Sequence, residues 1–96
     1  MNLTTKQRRQ LRSLAHHLKP VVMVGDKGIT KNLLAELDRA LESHELIKVT
    51  IAGADKNERR TLSEELCQNS SAELVQMIGR ISVLYRAAQE PKIVIA

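Results

Sequence analysis

The sequence predicts an α/β chain of the α+β two-layer type, ordered α-β-α-β-α-β-β, with one mixed four-stranded sheet. Three observations predict it. Apolar residues recur at helical spacing in three separate stretches, and "VVMV" and "ELIKVTIAG" read as strands between them. After the third helix, "AELVQMIGRISVLYR" holds two β-rich runs split by Gly79-Arg80. Two strand–helix–strand steps require right-handed parallel crossovers, and the closing hairpin adds an antiparallel pair. At 96 residues the chain suits a single domain over 1–96, with neither a repeat nor a linker.

Each element has a local cause. "TTKQRRQLRSLAHHLK" opens on a threonine cap and carries Leu11, Leu14, Ala15 and Leu18 at helical spacing, with Arg9, Arg12 and His16 together on another side; Pro20 stops it. "VVMV" is a short buried strand. Thr30 caps a second helix running to about His44, whose inward stripe is Leu33, Leu34, Leu37 and Leu41. In "ELIKVTIAG", Ile47, Val49 and Ile51 point one way and Lys48 and Thr50 the other, the alternation of a half-buried strand. Asp55 and Glu58 form a capping box for a third helix with Leu62 and Leu66 inside. Glycine first in a two-residue loop suits a type II′ hairpin, which sets Ile78 opposite Ile81. Gln76 on one side, and Ser82 and Arg86 on the other, leave the core face of that hairpin open. "QEPKIVIA" is a tail with a last short extended stretch.

Charge is distributed unevenly. The net charge is +4, yet residues 1–31 hold seven basic residues (Lys6, Arg8, Arg9, Arg12, Lys19, Lys27 and Lys31) against Asp26 alone, and the remainder is slightly acidic. Apolar residues make up 43% and charged ones 27%, the balance of a soluble protein, and the apolar runs are short. Neither a signal peptide nor a membrane span is expected, and the expected location is cytoplasmic. Tyr85 is the one aromatic residue, so a nucleic-acid partner would be held by backbone and shape, not by stacked bases.

Catalytic and metal chemistry find little support. His16 and His17 are adjacent, about 100° apart on a helix, and chelate one metal poorly. His44 suits a helix end, and Cys67 is a small core hydrophobe. Neither a nucleophile elbow, a zinc spacing nor a nucleotide P-loop occurs, so no enzyme activity, cofactor, metal or small-molecule substrate is expected. The remaining motif is Gly25-Asp26-Lys27-Gly28 in "VVMVGDKGIT". Alone it is a turn. It leaves a strand and enters a helix, however, whose free N–H groups and dipole favour an anion. Lys27 stands at its tip, Lys31 follows in the first helical turn, and the glycines remove side chains that would keep a sugar–phosphate chain away. Asp26 opposes an anion unless it points outward or caps a local N–H.

"LAHHLKPVVMVGDKGIT", "ALESHELIKVTIAG" and "AELVQMIGRISVLYR" together resemble the CRM family (chloroplast RNA splicing and ribosome maturation) in its single-domain bacterial YhbY-type form, along nearly the whole chain. The resemblance implies an RNA-binding domain associated with ribosomal RNA and with precursor (pre-50S) particles of the large ribosomal subunit. It implies a fold like the C-terminal domain of translation initiation factor three, with sheet order 1-2-4-3 and strand 4 antiparallel to the others. It also likens Gly25-Asp26-Lys27-Gly28 to the Gly-x-x-Gly loop of KH domains, which clamps nucleic-acid backbone. The expected RNA-binding residues are therefore Gly25, Asp26, Lys27, Gly28 and Lys31, with Arg9, Arg12, His16 and Lys19 from the first helix and its exit. The alternative is a protein–protein adaptor using the C-terminal two-thirds.

Overall fold

A computed structural model describes residues 3–53 and 55–95. Thr4 caps α1 (Thr5–Ala15) with a reciprocal box: its hydroxyl accepts the Gln7 N–H, and the Gln7 side chain accepts the Thr4 N–H. β1 (Pro20–Val24) follows, buried at Val22 and Val24 but not at Val21 and Met23, so it is half-buried where "VVMV" predicts a buried strand; then come α2 (Lys31–His44) capped by Thr30, and β2 (Leu46–Ile51). Asp55 caps α3 (Lys56–Ser70) by accepting the Glu58 N–H at 2.8 Å. β3 (Glu73–Ile78) and β4 (Ile81–Tyr85) close the order that the sequence predicts. The tail forms no strand up to Ile95, and its last residue lies outside the described residues.

The sheet order is β1-β2-β4-β3, with β1 parallel to β2 and β4 antiparallel to both of its neighbours. This is the order the family resemblance implies. At the hairpin, Ile78 pairs with Ile81; Gly79 takes φ 57° while Arg80 does not share a positive φ, the φ pattern of a type II′ turn.

α2 and α3 pack on one face of the mixed sheet. Leu33, Leu37 and Leu41 from α2 and Leu66 from α3 pack on Val22, Val24, Ile47, Val49, Ile51 and Leu84. Fully burying a side chain such as Leu37 stabilises the fold by about 1.5–3 kcal/mol. Beneath α3 the Ser63 and Ser82 hydroxyls, both buried, satisfy each other at 2.6 Å. α1 lies on the opposite face, where Leu11 and Ala15 bury Leu46, Val75, Val83 and Tyr85. The hairpin therefore has two core faces. Ser82 and Leu84 look toward α3 and α2, and Val83 and Tyr85 toward α1.

The predicted stripe of α1 is only half correct. Leu11 and Ala15 are buried, but Leu14 and Leu18 are 47% and 38% exposed. The helix ends at Ala15, where its bonds tighten to i→i−3 (His16 N–H to the Ser13 carbonyl), and Pro20 then holds Lys19 away from helical backbone so that the chain enters β1. Leu18 then lies beyond the helix, its N–H bonded to the Ala15 carbonyl.

A buried carboxylate fastens the other end of the chain. Glu45, between α2 and β2, has φ 65° and ψ −45°, a sparsely populated conformation. Every polar group it has is used. Its N–H donates to Leu41, its carbonyl accepts from Arg86, and its carboxylate accepts backbone N–H bonds from Ala88, Lys92 and Ile93 at 2.7–3.0 Å. Burial alone would raise its pKa, but these three donors and the Lys92 charge hold it below the usual carboxylate value. The tail thus lies down so that Ile93 and Ile95 pack against the α1 side of the core.

Candidate nucleic-acid interface

β1 and β2 run parallel and end at one edge of the sheet, where α2 and α3 begin and the β3–β4 hairpin turns. After Val24 the chain reverses through Gly25, Asp26, Lys27 and Gly28, and the Gly28 N–H closes the turn on the Gly25 carbonyl at 3.0 Å. Gly28 has φ 70°, which glycine adopts without steric penalty. Gly25 is different. Its φ lies outside the left-handed region, and a Cβ placed there meets nothing within 4 Å. No contact inside the described protein requires glycine at 25. The bare backbone faces outward.

The loop and the start of α2 line a depression of ≈ 460 Å³ together with Met23, Thr30, Asn32, Leu33 and Glu36. The Thr30 hydroxyl takes the Leu33 N–H at 3.1 Å. The N–H groups of Lys31 and Asn32 precede any intrahelical acceptor, so they remain at the positive end of the helix dipole. The first turn of α2 contains no acidic residue. Asp26 and Lys27 are both exposed at the tip of the turn, so a carboxylate and an ammonium share it. Among the described residues, Lys27, Lys31 and Arg80 pair with no carboxylate.

Arg80 is a residue that the sequence reading treats only as part of a turn. The pairing of Thr50 with Ile81 brings the hairpin tip to the same sheet edge as the loop, and Ile51 donates to the Arg80 carbonyl at 2.7 Å. Arg80 consequently lines a second depression with Gly25, Asp26, Gly28, Gly53 and Glu58. Strand order and register carry that signal, and neither is written in a local motif.

On α1, burial of Leu11 and Ala15 turns Arg9, Arg12 and His16 outward, and all three are exposed. Arg12, His16 and His17 line one depression with Gln76 and Ile78 of β3. Arg9 lies on a different one, with Lys6, Gln10 and Leu14. Lys19 stands at the opposite end of β1 from the loop, about 17 Å away along the strand, beside an apolar groove of ≈ 400 Å³ that Leu14, Leu18 and Val21 help line. The nine expected residues therefore form two groups, Gly25, Asp26, Lys27 and Gly28 in the loop and Arg12 with His16 on α1; Lys31, exposed in the first turn of α2, lines neither loop depression, and Arg9 and Lys19 fall outside both groups. Arg8, counted in the basic excess, is turned inward. Its guanidinium bonds the carbonyls of Leu74 and Val75, where a bulge interrupts the pairing of β3 with β4.

The His16 and His17 rings meet edge-to-face at 5.2 Å. Among the described residues no group of three or more His, Cys, Asp or Glu side chains is placed to hold a metal ion. The Cys67 thiol is half-buried, and burial, then Glu73 and Glu64, push its pKa up to about 12. It is a poor nucleophile at neutral pH. No helix among the described residues is long and apolar enough to cross a membrane.

Residues 3–86 match the CRS1/YhbY (CRM) domain. The chain belongs to that family. A probable RNA-binding protein of Pseudomonas aeruginosa is 50% identical over 95% of this chain and 88% of its own length. An RNA-binding protein of Haemophilus influenzae is also 50% identical, over 95% and 92%. The Bacillus subtilis protein YqeI, named a probable RNA-binding protein, is 42% identical over 94% of each. The solution structure of a Staphylococcus aureus protein, presented as a candidate RNA binder, superposes with a TM-score of 0.84 at 42% identity, covering 95% of both chains. This CRM chain thus shares its fold with that protein.

Proposed function

We propose that this CRM-family chain is a non-enzymatic, cytoplasmic RNA-binding protein that docks on structured ribosomal RNA in precursors of the large ribosomal subunit. The observation that carries the reading is Gly25, a glycine with neither a backbone nor a packing reason inside the described protein, set beside free helix N–H groups and unpaired Lys27, Lys31 and Arg80. A phosphate seated there would gain the N–H groups, the dipole and the cations together. Arg12 and His16 would hold a second stretch of backbone. The names of the relatives support an RNA partner, and the family resemblance supports the ribosomal target.

The test is co-sedimentation of the protein with ribosomal precursor particles, followed by binding to transcribed fragments of large-subunit RNA at several salt concentrations. About five phosphate contacts predict a log–log slope between −3.5 and −4.5. A slope shallower than about −1, or partners that survive ribonuclease, would contradict the reading and favour an adaptor.

A further inference from the structure

The face of the sheet that α1 crosses is covered unevenly. Near the start of β2, Leu46, Val75, Val83 and Tyr85 are buried under α1. Closer to the loop edge, the pairings Met23 with Thr50, Thr50 with Ile81 and Ile81 with Ile78 set four side chains in a row across the whole sheet. Residues paired across neighbouring strands project to one face, so these four form one floor. α1 leaves this row open: Met23 is 65% and Ile78 55% exposed, while Thr50 and Ile81 are half-buried.

Two large apolar side chains thus stand in water at opposite ends of a floor about 14 Å across, three strand spacings. Its ends coincide with two depressions that each carry a cation, Lys27 at one and Arg12 at the other. Met23 lines the loop depression with Lys27, and Ile78 lines the α1 depression with Arg12, His16 and His17. Lys48, half-buried, projects from the next row of the same face. Asp26 and Glu36 are the carboxylates at the loop end, and none lines the α1 end.

We propose that this row is a platform for a short unpaired stretch of RNA, running from the loop to the C-terminal part of α1. The inference rests on the RNA-binding reading and adds the class of RNA to it. Phosphates sit at the two rims, against Lys27 and the first N–H groups of α2 at one and against Arg12 at the other, and bases lie against Met23, Ile81 and Ile78. A duplex has its base faces stacked inside and offers the floor only sugar, phosphate and groove edges. Unpaired bases expose apolar faces that these aliphatic side chains can cover, so the shortage of aromatic residues, which speaks against stacking on rings, leaves base contact open at this row. Aliphatic cover without hydrogen-bond readout makes the site tolerant of base sequence. The target is therefore a structured RNA that carries an unpaired loop or bulge.

The test uses the full chain with Met23→Ser and Ile78→Ser combined, both at exposed positions, against two probes. One probe is a stem-loop with an adenosine-rich loop; the other is a blunt duplex of the same stem. The double variant should bind the stem-loop about tenfold more weakly, with an unchanged salt slope and unchanged duplex affinity. Met23→Leu with Ile78→Val, which keeps the apolar surface, should bind like the parent. Lys27→Ala should weaken both probes and lower the slope by about one contact. Unchanged stem-loop binding by the serine variant, or equal loss on both probes, overturns the platform while leaving the loop as an RNA site. A change in self-association without a change in RNA affinity overturns it in favour of a contact between copies. If the parent binds neither probe, the RNA-binding reading falls, and the platform falls with it.

Discussion

The two ends of the sheet treat charge in opposite ways. Where β2 begins and β4 ends, charged groups are consumed inside the protein. Arg86 reaches Asp38 at 2.7 Å, the Ser70 carbonyl at 2.9 Å and Glu42 at 3.8 Å, while Glu45 gathers three backbone N–H groups from the tail. Where β1 and β2 finish, Lys27, Lys31 and Arg80 are exposed together with Asp26, Glu36 and Glu58, and the starts of α2 and α3 stand beside bare glycine backbone. A buried charge with its hydrogen bonds filled fixes a conformation, whereas an exposed unpaired one remains available to a partner. Net charge does not distinguish the two. Arg8 and Lys27 count equally in the sequence, yet Arg8 binds the carbonyls of the β3 bulge and Lys27 faces solvent.

If the first end is structural, breaking it should cost stability and spare binding. Glu45→Ala removes the acceptor of three N–H groups and should destabilise the fold by roughly 3 kcal/mol, read by urea denaturation. RNA affinity should be unchanged well below the melting temperature. A large loss of affinity in the folded variant would erase the contrast between the ends. The same carboxylate predicts a pH response. Because its pKa is lowered on folding, its contribution is complete above the ordinary carboxylate range and is lost as pH falls through the folded value. Stability should therefore decline in acid, and Glu45→Gln should flatten that part of the profile.

Smaller effects sharpen the second end. Arg80→Ala should weaken RNA binding a few-fold and lower the salt slope by about one contact, with stability unaltered. Arg39→Ala, exposed on α2, is the comparison that should change neither. Arg59 is unsuitable for that purpose, although its place outside the basic segment suggests it. Its guanidinium bonds the Gly53 carbonyl at 3.3 Å and its side chain packs on Gly53, so Arg59→Ala should cost about 1 kcal/mol without touching RNA. The smallest effect concerns Cys67, whose raised pKa predicts slow alkylation by iodoacetamide at neutral pH. Fast labelling of the folded protein would contradict the packing around α3.

Elements whose cause is local were legible in the sequence. The three caps Thr4, Thr30 and Asp55, the alternation of β2 and the Gly79-Arg80 turn all depend on neighbours within a few residues, and all appear as expected. What escaped depends on contacts distant in the chain. The exposure of Leu14 and Leu18 follows from where α1 stops and what it crosses. The two core faces of the hairpin follow from helices on both sides of the sheet. Glu45 reads as an ordinary polar residue until the tail, more than forty positions later, folds over it. The loop was visible as a motif, while Arg80 and the Met23–Ile78 row needed the register of four strands.

Gly25→Asp asks whether the bare backbone at Gly25 serves a bound RNA. The position has room for a side chain and needs no positive φ, so stability should change by less than about 1 kcal/mol in thermal denaturation. A carboxylate in the space assigned to phosphate, beside the start of α2, should lower affinity for a large-subunit RNA fragment by more than about tenfold at moderate salt. Equal affinity of the folded variant and the parent would make the loop a turn and nothing more.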